Sequence, residues 1–129
     1  MVKPTNLSEH EEQVEFISWF EKLYPNVRIF AIPNGANLSG DSNGNKQNDA
    51  AARAKQWRYL QAEGAKKGHP DLQIPEWRIV IEMKRRNSGV VSPEQQDWLD
   101  YYRSIGWDAV VCNGSDEAKA FINSFIRRM

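Results

Sequence analysis

Gly68-His69-Pro70-Asp71-Leu72-Gln73-Ile74-Pro75-Glu76-Trp77-Arg78-Ile79-Val80-Ile81-Glu82-Met83-Lys84 decides the fold of this 129-residue chain. Gly-x-Pro makes a turn, and Asp71-Leu72-Gln73-Ile74 reads as a short strand after it. Pro75-Glu76 forms a tight connection to the β-branched run Arg78–Lys84, the clearest strand in the sequence. Side chains on a strand alternate between faces, so Glu82 and Lys84 share one face and Met83 takes the other. If the two strands pair as a hairpin, Asp71 approaches Glu82 across the ladder. Two carboxylates that close repel unless a cation joins them. Oxygen-only ligands suit Mg²⁺ or Mn²⁺ rather than zinc. Lys84 is then placed to orient a water or neutralise a phosphate oxygen. The backbone carbonyl of Met83 is a further candidate metal ligand. The plain alternative is an edge strand that carries Glu and Lys on its wet face as a solubility device.

Outward from the hairpin, the remaining segments alternate helix and strand. A helix is expected to start near residue 7 or 9. Ser8-Glu9-His10-Glu11 and Asn6-Leu7-Ser8-Glu9 are both readable as its capping box. Val14, Phe16, Ile17, Phe20 and Leu23 form its apolar stripe, and Pro25 ends it. Val27–Ile32 reads as a short strand. A Gly-, Asn-, Ser- and Asp-rich stretch follows, from which a flexible loop over 36–48 is expected. Residues 49–63 read as a second helix stopped at Gly64. Downstream, Ser92-Pro93-Glu94-Gln95 opens a third helix with a Ser cap, Pro at its first position and Gln at N3. Trp98, Leu99, Tyr102 and Ile105 form its apolar face, and Gly106 stops it. A strand at 108–112 and a helix at about 116–127 complete the order α-β-α-β-β-α-β-α. This pattern predicts an α/β layered domain, one domain over 1–129, around a mixed sheet.

Composition narrows the function classes. The chain is 40% apolar and 26% charged, so disorder does not describe it. Seventeen basic and seventeen acidic side chains cancel, which argues against adhesion to DNA or membrane by net charge alone. The charges are nevertheless segregated. Residues 40–90 carry a basic excess of four, and the two flanking segments are each acidic by two. A basic face around a carboxylate site is what a phosphodiester and its metal require. The single cysteine, Cys112, rules out an internal disulfide framework and a cysteine-rich zinc site. With no 18-residue apolar stretch and no signal-like start, an intracellular, cytoplasmic protein with no membrane partner is expected.

Taken in order, Gly68-His69-Pro70-Asp71-Leu72, Ile81-Glu82-Met83-Lys84 and Ser92-Pro93-Glu94-Gln95-Gln96 with Trp98-Leu99 resemble the PD-(D/E)xK nuclease superfamily. Within it they are most similar to the virus-type replication-repair nuclease (VRR-NUC) domain. Phe30-Ala31-Ile32-Pro33-Asn34-Gly35, Ala62–Gly68 and the spacing of Glu9 to Gln13 before Trp19-Phe20 extend the resemblance over roughly residues 8–125. The resemblance implies a restriction-endonuclease-like fold, with helices flanking a mixed central sheet, and divalent-metal hydrolysis of DNA. For free-standing members it implies a homodimer like the resolvases of four-way (Holliday) junctions. It implies that Asp71 and Glu82 bind the metal and that Lys84 is the catalytic lysine. It also implies that Glu9 completes the site and that Gln95 heads the helix after the catalytic strand.

Three positions keep two readings. Glu9, Glu11, Glu12 and Glu15 crowd one helix, whose first turn favours acids through its dipole alone. Gln95 doubles as the N3 member of a capping box. His69, where such proteins often hold a small apolar residue, reads as a phosphate contact or as a packed ring. Arg53, Lys66, Lys67, Arg85 and Arg86 are candidate DNA contacts or simply solvated charges. Trp57, Tyr59 and Trp77, whose core role is least obvious, are candidates for a dimer interface. The leading function is a metal-dependent endonuclease for branched DNA. A general, flap or nicking nuclease and a non-catalytic nucleic-acid-binding module are the alternatives.

Overall fold

The computed structural model describes residues 6–33, 46–87 and 89–129, of which 46–49 are described in backbone only. Its elements are α1 (Glu9–Leu23), β1 (Phe30–Ala31), α2 (Lys46–Ala62), β2 (Leu72–Ile74), β3 (Ile79–Lys84), α3 (Pro93–Ser104), β4 (Asp108–Asn113) and α4 (Ser115–Arg128). The strands form one sheet in the order β1-β2-β3-β4. The first two pairings are antiparallel and β3–β4 is parallel, with α3 as the crossover. This is the mixed sheet and α/β layering that the sequence pattern predicts.

The hairpin forms as expected. A single 3₁₀ turn, Pro75–Trp77, links its strands, and Arg78 closes that turn at φ 53°, a left-handed conformation that is uncommon outside glycine. Leu72 pairs with Ile81 and Ile74 with Ile79. All six residues of β3 are buried, so this central strand has no wet face. The solubility reading of Glu82 and Lys84 therefore fails on burial.

Alternation along β3 separates two cores. Ile79, Ile81 and Met83 join Leu72, Ile74 and Cys112 under α1 and α4, whose Phe16, Phe20, Ala118 and Ile122 are all fully buried. Each large side chain withdrawn from water in this way contributes about 1.5–3 kcal/mol of burial free energy. On the opposite face Val80 packs with Leu99 and Ala109 beneath α3. Glu82 and Lys84 follow Val80 by alternation and so point to the α3 side.

Several local expectations change. Of the proposed strand Val27–Ile32, only Phe30 and Ala31 pair with β2, and Phe30 is half exposed on this edge. Residues 46–48 belong to α2 rather than to a loop, while 36–45 lie outside the described residues. Val14 and Leu23 are exposed, so the buried stripe of α1 is Glu12, Phe16 and Phe20 at four-residue spacing. Ser8 and Glu11 form the reciprocal capping box, which settles the start of α1. Trp77 is not a spare interface ring. It packs edge-on against Phe20 and Tyr24 and tilted against Phe125, because the hairpin turn folds back over the α1–α4 layer. Trp57 is half-buried and Tyr59 is 71% exposed, and none of the side chains at 50–62 is buried. No described helix is long and apolar enough to cross a membrane.

Candidate active site

Asp71 lies one residue before β2. Continuing the β2–β3 register sets it opposite Glu82, on the face that β3 turns toward α3. Its backbone is held by the edge strand, since the Ile32 amide donates to the Asp71 carbonyl at 2.8 Å. Its side chain is held from the other direction, where the Met83 amide donates to Asp71 Oδ2 at 2.8 Å. The carboxyl is thus tied to the backbone of the strand that carries Glu82 and Lys84.

The preceding turn explains why Gly68 is glycine. Its φ is +86°, and an added Cβ would come within 2.7–2.9 Å of the backbone and Cβ of Glu94 and the backbone nitrogen of Gln95. Contacts that short against backbone cannot be relieved by a rotamer change. The Gly-x-Pro-Asp turn is therefore pressed onto the first turn of α3. Trp98 fastens the same junction by donating from Nε1 to the Lys67 carbonyl at 3.1 Å.

Gln95 occupies the centre of the constellation. Its Oε1 accepts from the Ser92 backbone amide at 2.9 Å and from Lys84 Nζ at 3.0 Å. Its Nε2 donates to Glu82 Oε2 at 2.9 Å. The two readings of Gln95 are therefore not alternatives. The capping box fixes the amide, and the fixed amide then orients both the lysine and the glutamate. Lys84 Nζ also lies 3.5 Å from Glu82 Oε2.

Glu82 is 1% exposed and Lys84 7%. Residues of these types are almost never buried to that extent without partners. Glu82 Oε2 has Gln95 and Lys84, but Glu82 Oε1 is the one buried side-chain oxygen among the described residues with no hydrogen-bond partner. Burial, reinforced by the charge of Asp71, pushes the Glu82 carboxyl up to about 8. Burial also raises Asp71, against the opposing pull of the Met83 amide. Raised in this way, the Glu82 carboxyl keeps its proton at neutral pH until a cation displaces it.

An orphaned buried carboxylate oxygen beside a second carboxyl fits a hard divalent cation. Asp71 and Glu82 are the side chains that would hold it. Among the described residues no third Asp, Glu, His or Cys joins them. Glu9 is exposed on the first turn of α1 and is not brought to this pair. Met83 buries its side chain in the α1–α4 core, as alternation requires.

The family model for the VRR-NUC domain matches residues 7–116. The chain belongs to the VRR-NUC family. A solved structure described as a VRR_NUC domain protein superposes with a TM-score of 0.70 at 22% identity, over 98% of this chain and 92% of the other. At that identity the likeness concerns the fold. No curated protein gives a significant match. Membership makes this a nuclease-type domain with DNA as the substrate class, in a family that generally uses divalent metals.

Around the VRR-NUC centre the basic residues divide. Lys66, Lys67 and Arg85 are exposed, and Lys67 pairs loosely with Glu94 at 3.6 Å. Arg53 is half-buried on α2. Arg86 faces α1 and α4, bonded to Glu12 and Asp116. His69 is a packed ring. Its Nδ1 lies 2.9 Å from the Pro70 carbonyl and its Nε2 2.7 Å from the Tyr102 hydroxyl, and Trp98 and Tyr102 meet it edge-on. A carbonyl only accepts, so Nδ1 carries the hydrogen and Nε2 accepts from Tyr102. Burial lowers the pKa of His69 accordingly. The structural reading of His69 prevails over a phosphate contact.

Of the four glutamates that crowd α1, one is buried. Glu12 is fully buried, and its Oε1 accepts from the Ser115 backbone amide at 2.9 Å. Its four-residue spacing to Phe16 and Phe20 is the signal that marks it as part of the buried stripe.

Proposed function

We propose that the chain is a Mg²⁺-dependent DNA endonuclease, with Mn²⁺ able to substitute, that cleaves four-way junctions as a homodimer. The observation that carries the metal-dependent part is the orphaned Glu82 Oε1, buried opposite Asp71 and beside an oriented lysine. Asp71, Glu82 and the Met83 carbonyl would hold the cation; Glu9 could join them only if the first turn of α1 moved toward the pair when metal and DNA bind. The cation's contribution is to lower the pKa of a water and to stabilise negative charge developing on phosphorus. The protein supplies orientation. Gln95 and Glu82 aim the Lys84 ammonium, which donates to a phosphate oxygen or to the attacking water. Its position is set before substrate arrives, and preorganised donors of this kind are worth far more in a dry site than in water. Lys66, Lys67, Arg85 and Arg53 would carry the flanking phosphates.

The junction preference rests on symmetry. One Asp71–Glu82–Lys84 centre makes one cut, and resolving a four-way junction takes two cuts related by a two-fold axis. The exposed Tyr59 and half-buried Trp57 of α2, a helix with no buried side chain at 50–62, supply aromatic surface for an interface. The test is a side-by-side panel of linear duplex, flap and four-way junction, each with Mg²⁺, Mn²⁺ or chelator. Paired, symmetric, metal-dependent incisions in the junction support the proposal. Equal nicking of duplex and junction by a monomer would reduce it to a general nuclease, and no cleavage with any substrate would leave a binding module.

A further inference from the structure

Arg86 follows Lys84 by two residues and sits in a basic run, yet it points away from the exposed Arg85. Its Nε lies 3.4 Å from Glu12 Oε2, its NH2 3.4 Å from Glu12 Oε1, and its NH1 3.2 Å from Asp116 Oδ2. Glu12 also receives the Ser115 amide. That amide opens α4, whose N-cap position is Gly114 and therefore offers no side-chain acceptor. The carboxylate of α1 thus caps α4 from another element, at the end where a helix favours negative charge. Gly114 cannot carry its own cap. Its φ is +96°, and a Cβ there would lie 3.4 Å from both the Arg86 side chain and Glu12 Oε1. One more bond closes the circuit, because the Gly114 amide donates to the Lys84 carbonyl at 2.9 Å.

Resting on the nuclease reading above, we propose that Glu12 and Arg86 form a clamp that positions Lys84. The chain is gripped on both sides of the lysine's exit from the sheet. Arg86 anchors the backbone two residues downstream, and Gly114, held through Ser115 and Glu12, fixes the Lys84 carbonyl itself. Lys84 reaches Gln95 and Glu82 on the opposite face of β3, so the aim of its ammonium depends on where this backbone lies. Glu12 and Arg86 touch no reacting group and are positioning residues. Arg86 is thereby withdrawn from the DNA contacts and Arg85 is left among them.

The test compares full-length Arg86→Ala, Arg86→Lys, Glu12→Gln and Arg85→Ala, with Phe20→Leu as a purely structural control in the same helix layer. Steady-state cleavage is measured at saturating Mg²⁺ and over a range of salt. Independently, the Met83 backbone amide and Gln95 side-chain amide resonances are followed in metal-free protein. Arg86→Ala is expected to lower kcat about tenfold or more, since small misplacements of a reacting group cost that much, with KM and salt slope held. Both amide resonances shift, and Arg86→Lys recovers part of each effect. Glu12→Gln keeps an acceptor for Ser115 and lies between wild type and Arg86→Ala. Arg85→Ala instead raises KM and flattens the salt slope by about one contact. Phe20→Leu lowers Tm while leaving kcat and both resonances in place. If Arg86→Ala raises KM and flattens the salt slope at unchanged kcat, Arg86 is a DNA contact and the clamp is wrong. Unmoved Met83 and Gln95 resonances in Arg86→Ala overturn it equally. Inactive wild-type protein would count against the nuclease reading alone, and the resonances would then decide the clamp.

Discussion

Two glutamates of this chain are buried almost completely, Glu12 at 0% and Glu82 at 1%, and they are bonded in opposite ways. Glu12 meets a guanidinium with both oxygens and a helix-opening amide with one. Glu82 has its donors on a single oxygen, and its other oxygen is buried without a partner near the charge of Asp71. Burying a charge costs several kcal/mol unless it is paired and hydrogen-bonded. At Glu12 the protein meets that cost internally, so the residue serves the fold. At Glu82 the account is left open for a ligand. Burial alone does not mark a functional acid; the unpaired oxygen does.

The largest effect expected from this contrast is on catalysis. Glu82→Gln and Asp71→Asn should each abolish cleavage, with circular dichroism and DNA affinity close to wild type. Glu12→Gln should retain measurable turnover and lose several degrees of Tm through weakened pairing to Arg86. Near-wild-type turnover by a purified Glu82 or Asp71 variant would erase the distinction. Next in size, Lys84→Ala should lower kcat by about 10²-fold, as removal of a preorganised donor does. A loss under about threefold at saturating metal would make Lys84 a spectator despite its burial.

The pH dependence of stability sharpens the same comparison. A carboxyl whose pKa is raised by folding holds a proton that the unfolded chain has already released. Its contribution to stability is then full below the unfolded value near 4.5 and is lost as pH rises toward about 8. Metal-free protein should therefore melt at progressively lower temperature from pH 5 to pH 8. Glu82→Gln should flatten that decline. A metal-free Tm that climbs through this window would contradict the protonated pair. The smallest effect belongs to Glu9. Glu9→Gln should raise the Mg²⁺ concentration for half-maximal cleavage a few-fold with little change in the maximum, and complete inactivity would place this residue among the primary ligands.

Much of this was legible in the residues. Alternation along Ile79–Lys84 separated the core residues from Glu82 and Lys84, and the hairpin put Asp71 beside them, because both follow from a two-residue repeat. The helix starts at Ser8 and Ser92 were legible through their capping chemistry. The strand expected over Val27–Ile32 contracts to Phe30 and Ala31, which pair with Gln73 and Leu72 of a β2 only three residues long. Trp77 looked unemployed in a turn, since nothing local reveals that Phe20, Tyr24 and Phe125 converge on it. Arg85 and Arg86 are equivalent as letters. Only the approach of α1 and α4, more than 25 positions away in either direction, sends one to solvent and the other to Glu12. Long-range pairing is what a local pattern cannot encode.

The most direct measurement is calorimetric titration of Mn²⁺ into metal-free full-length protein at pH 6 and pH 8, repeated for Glu82→Gln and Glu12→Gln. The protonated Glu82–Asp71 pair must release a proton to accept the cation, so binding should be tighter at pH 8 and accompanied by proton release. Glu82→Gln should lose the binding and Glu12→Gln should keep it. Binding that survives in Glu82→Gln, or that vanishes in Glu12→Gln alone, would contradict the assignment of the cation site.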